Sequence, residues 1–62
     1  MTSQRIEINE EKSLRQLVSE LRLEAAPVLL EVHGEVFYPD DERDKQLRTG
    51  DTVTVVWIVA GG

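Results

Sequence analysis

The chain of 62 residues is long enough for one domain around a small core and too short for a second. It has no cysteine, which excludes a disulfide framework, a thiolate metal site and a cysteine nucleophile. With a single histidine, His33, and no thiol, we do not expect a self-contained zinc or Ser/His catalytic site. Twelve acidic residues against seven Lys and Arg give a net charge of −5, the wrong sign for binding nucleic acid phosphates or anionic membranes.

The first segment predicts a strand and no export signal. Residues 4–8 alternate between polar and apolar side chains, which predicts a short strand with Ile6 and Ile8 facing the core. The residues from Met1 onward lack the basic start and long apolar run of a secretory signal. We therefore expect a cytoplasmic protein.

An amphipathic helix is predicted next. Ser13 is followed three residues later by Gln16, the capping-box arrangement that satisfies orphaned backbone donors at a helix start. Behind this cap, four apolar residues have the i, i+3, i+4, i+7 spacing of one buried stripe: Leu14, Leu17, Val18 and Leu21. The helix is expected to end within residues 23–26, before Pro27.

A hairpin is predicted after the helix. Residues 28–32 and 35–38 form two strand-like runs joined by the dipeptide His33-Gly34. Glycine adopts positive φ freely, and histidine is one of the non-glycine residues that are enriched at positive φ. The pair therefore suits a primed two-residue turn. We therefore assign His33 to the turn rather than to chemistry.

The remainder of the domain predicts a loop and a final strand. Residues 39–46 read as a polar loop whose charges face solvent, with Leu47 as its core anchor, and Gly50 supplies the turn that follows. Residues 53–59 are apolar on both faces, which suits a strand in the middle of a sheet or one that exposes a face to a partner. Trp57 is accordingly a core residue or part of a docking surface.

The sequence finishes with Gly61-Gly62 directly after this strand. A carboxylate on a tail without Cβ atoms can enter another protein's narrow active site. Glycine is also common at frayed ends, so the pair by itself leaves both interpretations open.

Taken together, these segments make the chain resemble the ThiS/MoaD family of sulfur carriers, which are relatives of ubiquitin. The resemblance spans most of the chain and rests on residues 5–9, the helix at 14–21, the hairpin at 31–36, and segments 47–53 and 58–62. The pattern Leu-x-x-Gly-Asp-x-Val, about ten residues before Gly-Gly, is its most specific part.

The resemblance implies an α+β fold of the ubiquitin-like β-grasp type, a small mixed sheet packed on one helix. Residues 1–59 would form the domain and residues 60–62 a flexible tail. Family members usually carry a second strand before the helix, but here only residues 9–12 separate the first strand from the Ser13 cap. We therefore expect a truncated first hairpin with an open sheet edge.

The resemblance also implies a mechanism. A ubiquitin-activating-type adenylating enzyme (ThiF/MoeB-like) would adenylate Gly62 using ATP and magnesium, and sulfur would then replace AMP to give a thiocarboxylate. Gly61 and Ala60 would give the tail access, and Val59 and Trp57 would guide docking. The chain itself would be a co-substrate without catalytic residues, bound cofactor or metal, and a synthase such as thiazole synthase would accept the sulfur.

Several alternatives remain at this stage. The short chain and the lack of a Pro-Pro pair before the tail make it most similar to the thiamine-thiazole carriers. Carriers for a molybdopterin or tungsten cofactor, for cysteine or for a siderophore are the other pathway candidates. Outside the carrier class stand a ubiquitin-like protein modifier, joined through Gly62 to lysines, and a plain β-grasp interaction module.

Overall fold

The computed structural model describes residues 2–58, which form a four-stranded sheet, a two-stranded ladder and one helix. In chain order the elements are β1 Thr2–Glu7, β2 Lys12–Ser13, α1 Leu14–Glu20, β3 Val28–Val32, β4 Glu35–Phe37, β5 Gln46–Leu47 and β6 Thr52–Trp57. The sheet has the strand order β1-β6-β3-β4, and β2 pairs with β5. The predicted α+β class and ubiquitin-like β-grasp arrangement are confirmed.

The last strand lies in the middle of the sheet, which is one of the two positions predicted from its apolar character on both faces. β6 pairs with β1 from Thr2 opposite Trp57 to Glu7 opposite Thr52, and with β3 along its other side. Val53 and Val55 are buried, whereas the alternate positions face away from the core. The last strand of the described residues is therefore held by hydrogen bonds on both sides.

The strand directions correct one part of the prediction. Within residues 2–58 each of the three strand pairs of the sheet is antiparallel, so the sheet is not mixed. The reason lies at the end of β1, where Ile8 N–H donates to the Asp51 carbonyl and Gly50 N–H donates to the Ile8 carbonyl. These two bonds place the end of β1 beside the start of β6. The chain then passes through α1 from β1 to β3, and these two strands flank β6.

The start of α1 confirms half of the predicted capping box. Ser13 is the N-cap, and its hydroxyl oxygen accepts from the Gln16 backbone N–H at 3.0 Å. The Gln16 side chain does not return to the cap but donates to Glu20 at 3.4 Å. The Leu14 N–H, a separate donor in the first turn, donates to the Lys45 carbonyl at 2.7 Å, so the loop before β5 satisfies it.

The end of α1 differs from the prediction. The helix stops at Glu20, and Arg22 adopts a left-handed φ of 57°. Leu23 N–H then reaches the Val18 carbonyl and Arg22 N–H the Ser19 carbonyl, which is the Schellman pattern of a helix C-terminus. This reversal turns Leu23 into the core at 8% exposure, whereas Leu21, predicted in the buried stripe, is 39% exposed.

The core lies between α1 and one face of the sheet. Its members are apolar and come from nearly every element: Ile8, Leu14, Leu17, Val18, Leu23, Val28, Leu30, Val32, Phe37, Leu47, Val53 and Val55. Ile6 packs against this cluster and is partly buried, so both isoleucines predicted to face the core do so. Leu47 is fully buried, which confirms it as the anchor of the preceding loop.

The polar loop is more ordered than a solvated charge run. The Asp41 carboxylate accepts from the backbone N–H groups of Tyr38 and Arg43 and from the Arg43 guanidinium. These donors, the Arg43 side chain first among them, hold the pKa of Asp41 well below its ordinary value. Arg15 on α1 also donates to the carbonyls of Asp41 and Glu42. The loop is therefore fixed both to itself and to the helix.

Candidate functional site

The candidate site is the end of β6, where the sequence analysis placed the reactive tail. Trp57 pairs with Thr2 on one side and with Val28 on the other. One residue later, Ile58 N–H donates to the Pro27 carbonyl at 2.8 Å. The backbone is therefore fixed as far as Ile58. The predicted site residues Val59, Ala60, Gly61 and Gly62 lie outside the described residues, as does the predicted boundary between residues 1–59 and 60–62.

Trp57 lies on the core side of the strand. It shares a face of β6 with Val53 and Val55 and packs against the core cluster as a partly buried side chain. The indole thus stabilises the end of β6, two residues before the predicted site residue Val59. Of the two roles considered for Trp57 from the sequence, the structure provides contacts for the core role.

A groove that sequence reasoning missed lies beside Ile58. It has a volume of about 280 Å³, and its lining includes Ala26, Pro27, Tyr38 and Ile58, with Glu24 and Asp40 as its acidic members. Tyr38 is 58% exposed and Ile58 is 44% exposed, so two large apolar surfaces meet water where β6 ends. We refer to these six residues as the Ile58 groove.

Local sequence explains how the groove forms. Pro27 follows the helix C-terminus, and Ala26 N–H donates back to the Leu23 carbonyl, so residues 23–27 make a tight connection into β3. On the other side, the Asp41 carboxylate accepts the Tyr38 N–H at 3.2 Å and sets the chain path after β4. The signal in the sequence is the adjacency of Tyr38 and Pro39, which the prediction assigns to the end of the strand at 35–38 and the start of the loop at 39–46. In the structure β4 ends one residue earlier, at Phe37.

The only histidine of the sequence, His33, lies in the turn between β3 and β4, near the start of β6. His33 and Gly34 have φ values of 52° and 81°, the two positive values of a type I′ turn, which confirms the predicted turn role. The imidazole Nε2 lies 3.1 Å from Asp51 Oδ1. This contact was not expected from the sequence, because it joins the β3–β4 turn to the turn before β6, eighteen residues away.

Asp51 organises the turn that begins β6. Its other carboxylate oxygen accepts the Arg48 N–H at 2.9 Å, and its own N–H donates to the Arg48 carbonyl. The Arg48 backbone donor, followed by the His33 side chain, lowers the pKa of Asp51 below its ordinary value. Gly50 has a φ of 96°, the positive value expected for this turn.

Residues 2–58 contain no group of three or more His, Cys, Asp or Glu side chains placed to hold a metal ion. Every residue that is fully buried in this range is apolar. Over the same range, no helix has the length and apolar character needed to cross a membrane.

Comparison with known proteins identifies the family. The family model described as the ThiS family matches residues 1–62, the whole length of the sequence. No curated protein and no solved structure gives a match. Proteins of this family are small sulfur carriers and not enzymes, and the family implies interaction with adenylating and sulfur-accepting enzymes in general. With its β-grasp domain and its match over the full sequence, the chain belongs to the ThiS family.

Proposed function

We propose that this chain carries sulfur as a thiocarboxylate on Gly62. A carboxylate is a poor electrophile, so its oxygen first attacks the α-phosphorus of ATP, held with magnesium by an adenylating enzyme, and pyrophosphate leaves. Hydrosulfide, or a sulfur donor at the same oxidation level, then attacks the carbonyl carbon of the acyl-adenylate, and AMP leaves. The thiocarboxylate sulfur attacks the biosynthetic acceptor, water then cleaves the acyl–sulfur bond, and the regenerated carboxylate can be charged again.

The observation that carries this proposal is the placement of β6. It is a central strand, paired on both sides as far as Trp57 and tied by Ile58 N–H to Pro27. The four residues that follow, 59–62, include the two glycines. At about 3.3 to 3.6 Å per residue, Ala60 to Gly62 can extend about 10 Å past a partner's rim. Gly61 and Ala60 provide access without bulky side chains.

The docking surface that we propose includes the Ile58 groove, which lies within the described residues. We propose that the rim of the adenylating enzyme covers Ile58 and Tyr38, with Val59 and Trp57 extending the contact at the strand end. Glu24 and Asp40 are exposed members of the groove, and the whole chain has a net charge of −5. Charge complementarity therefore favours a basic rim on the enzyme.

For the acceptor we propose thiazole synthase, in thiamine thiazole biosynthesis. The support is the short length of the chain and the lack of a Pro-Pro pair before Val59. A molybdopterin or tungsten cofactor pathway is the alternative of the same class. Protein modification would use the same adenylate but end with an isopeptide bond on a lysine, so recovery of higher-mass conjugates would favour it.

Exchange between pyrophosphate and ATP tests the first step. With a ThiF/MoeB-like enzyme and magnesium, addition of the full chain should start exchange of labelled pyrophosphate into ATP, because the acyl-adenylate forms reversibly. A variant that lacks Gly61 and Gly62 should fold equally well and support no exchange. Exchange that continues with this variant would contradict the proposal, since a plain interaction module does not need the tail carboxylate.

The acceptor is tested separately with the thiocarboxylate form. Thiazole synthase and a molybdopterin synthase partner are each incubated with that form, and loss of the sulfur is followed by intact mass. Faster loss with thiazole synthase and its other substrates is expected. Faster loss with the molybdopterin partner would reassign the pathway and leave the carrier role in place.

A further inference from the structure

The two edges of the four-stranded sheet differ in how far side chains cover them. At one edge, the Arg43 guanidinium donates to the outward carbonyl of Val36 in β4 at 2.8 Å and lies 4.7 Å from the centre of the Phe37 ring. This arginine therefore satisfies the Val36 carbonyl and shields this part of the β4 edge. At the other edge, β1 pairs with β6 alone among the strands of residues 2–58.

The pairing of β1 fixes which of its backbone groups face outward. The groups of Ile8 bond to the turn before β6, and alternate residues of an antiparallel strand point to the same neighbour. Ile6 therefore faces β6 like Ile8, and the N–H and C=O groups of Ser3, Arg5 and Glu7 point to the open edge. This edge can accept another extended strand.

The side chains of β1 suggest what that strand is. Arg5-Ile6-Glu7 is complementary to itself in the antiparallel direction, because a two-fold axis at Ile6 places Arg5 opposite Glu7 of the other strand and Glu7 opposite its Arg5. Arg5 and Glu7 are exposed and lie on the outer face of the sheet, whereas Ile6 is partly buried on the core side. Opposite charges in directly facing positions stabilise a strand pair, and like charges destabilise it.

We propose that a second copy of this chain pairs with the open edge of β1, in the register that places Ile6 opposite Ile6. This register forms hydrogen-bonded pairs between Arg5 and Glu7 on both sides of the axis. The two isoleucines form the closer, non-hydrogen-bonded pair beside the two cores. The result is a continuous eight-stranded sheet with both helices on one side.

Charge selects this register over its neighbours. A shift that centres the axis on Arg5 offers more backbone hydrogen bonds, since Ser3 then meets Glu7, but it brings the two arginines directly opposite each other. Face alternation forbids shifts that would pair Arg5 with Ile6, because they lie on opposite faces of the strand. The Ile6-centred register is therefore the one that combines both ion pairs with an apolar contact.

The proposed dimer leaves the carrier site free. Ile6 pairs with Val53 near the start of β6, and the tail follows Ile58, about 16 Å further along the strand. Three paired residues on each strand make a small interface, which belongs to the weak and transient class. We therefore expect association that depends on concentration and weakens with added salt, because the ion pairs lie on the exposed face.

Sedimentation over a dilution series from millimolar to micromolar concentration tests the pairing with the full chain. The mean mass should rise with concentration from the 7.0 kDa of one chain towards twice that value. Arg5→Glu and Glu7→Arg should each lower the association constant by about tenfold, because each creates two facing like-charge pairs. The double variant Arg5→Glu/Glu7→Arg should restore association, since it exchanges the charges within the same register.

The rescue separates the proposed register from other modes of association. In the Arg5-centred register the double variant would place glutamates opposite each other at the axis and would not restore pairing. Thermal unfolding of each variant checks that the fold is unchanged, and slowed amide exchange at Arg5 and Glu7 at high concentration checks the edge. A chain that stays monomeric at all concentrations, or single reversals without effect on association, would overturn the proposal.

Discussion

His33 and Asp51 join the two turns at one end of the sheet, with the imidazole Nε2 3.1 Å from the carboxylate Oδ1. The Asp51 side chain is 19% exposed and that of His33 is 63% exposed. Asp51 also accepts the Arg48 N–H, so one carboxylate holds the β3–β4 turn and the start of β6 together. These contacts fix the start of β6, which is the end of the strand opposite the predicted site residues 59–62.

The first prediction concerns the dependence of stability on pH. The pKa of Asp51 is lowered in the folded chain, chiefly by the Arg48 N–H and next by His33, so the folded state favours the charged carboxylate. Its contribution to stability is complete above the unfolded value of about 3.9 and is lost as the pH falls through the lower folded value. Asp51→Asn should therefore lower the melting temperature at neutral pH and have less effect in acid.

The matched control for this prediction is Asp40→Asn. Asp40 is exposed and makes no hydrogen bond to another residue in the described part of the chain. Melting temperatures of both variants and the unchanged chain are compared between neutral pH and about pH 2 by circular dichroism. An Asp51→Asn deficit that stays constant over this range, or that Asp40→Asn reproduces, would argue against the Asp51 contribution.

The second prediction concerns the left-handed residue that ends α1. Arg22 has a φ of 57°, a conformation that costs less for glycine than for residues with a Cβ atom. Arg22→Gly should raise the free energy of unfolding by about 0.5 to 1 kcal/mol, measured in urea. Arg22→Ala removes the same charged group and keeps the Cβ atom, so it should give no such gain. Equal effects of the two substitutions would contradict the assignment.

The third prediction compares two leucines separated by one residue. Leu23 is 8% exposed in the core and Leu21 is 39% exposed at the helix end. Leu23→Ala should therefore lower the free energy of unfolding by about 2 to 3 kcal/mol. Leu21→Ala should change it by about 0.5 kcal/mol or less. Urea denaturation of both variants checks the order, and a larger loss for Leu21→Ala would place the helix end where periodicity alone predicted it.

This pair shows where sequence patterns were sufficient and where they failed. The spacing of Leu14, Leu17 and Val18 predicted the buried face of α1 correctly because these residues lie inside the helix. Leu21 fits the same period, but the chain reverses at Arg22, a residue without a sequence signal for positive φ. Periodicity identifies the buried face of a helix but not the residue at which the helix ends.

Other differences arise from long-range pairing. The ladder between β2 and β5 has two residues on each strand, too short for an alternation to be seen in the sequence. The direction of β1 beside β6 depends on the bonds of Ile8 to a turn more than forty residues later in the chain. The His33-Gly34 turn was predictable because its signal is local. The predicted tail residues 59–62 stay predictions.

The fourth prediction concerns the Ile58 groove. Ile58→Lys places a positive charge on a 44% exposed apolar side chain in the proposed docking surface for the adenylating enzyme. The KM for the chain in the adenylation reaction should rise by about tenfold with little change in kcat, because binding is affected and the tail is intact. Leu21→Lys is the control, since Leu21 has similar exposure and is not among the lining residues of the groove. Equal KM values for both variants would contradict docking at the groove.

The central claim, that Gly62 carries sulfur, is tested most directly by the intact mass of the protein purified from its own host. We expect a fraction whose mass exceeds that of the unmodified chain by the replacement of one oxygen with sulfur. A variant that lacks Gly62 should show no such fraction. Absence of the heavier form under sulfur-sufficient conditions, with the adenylating enzyme present, would contradict the proposed carrier chemistry.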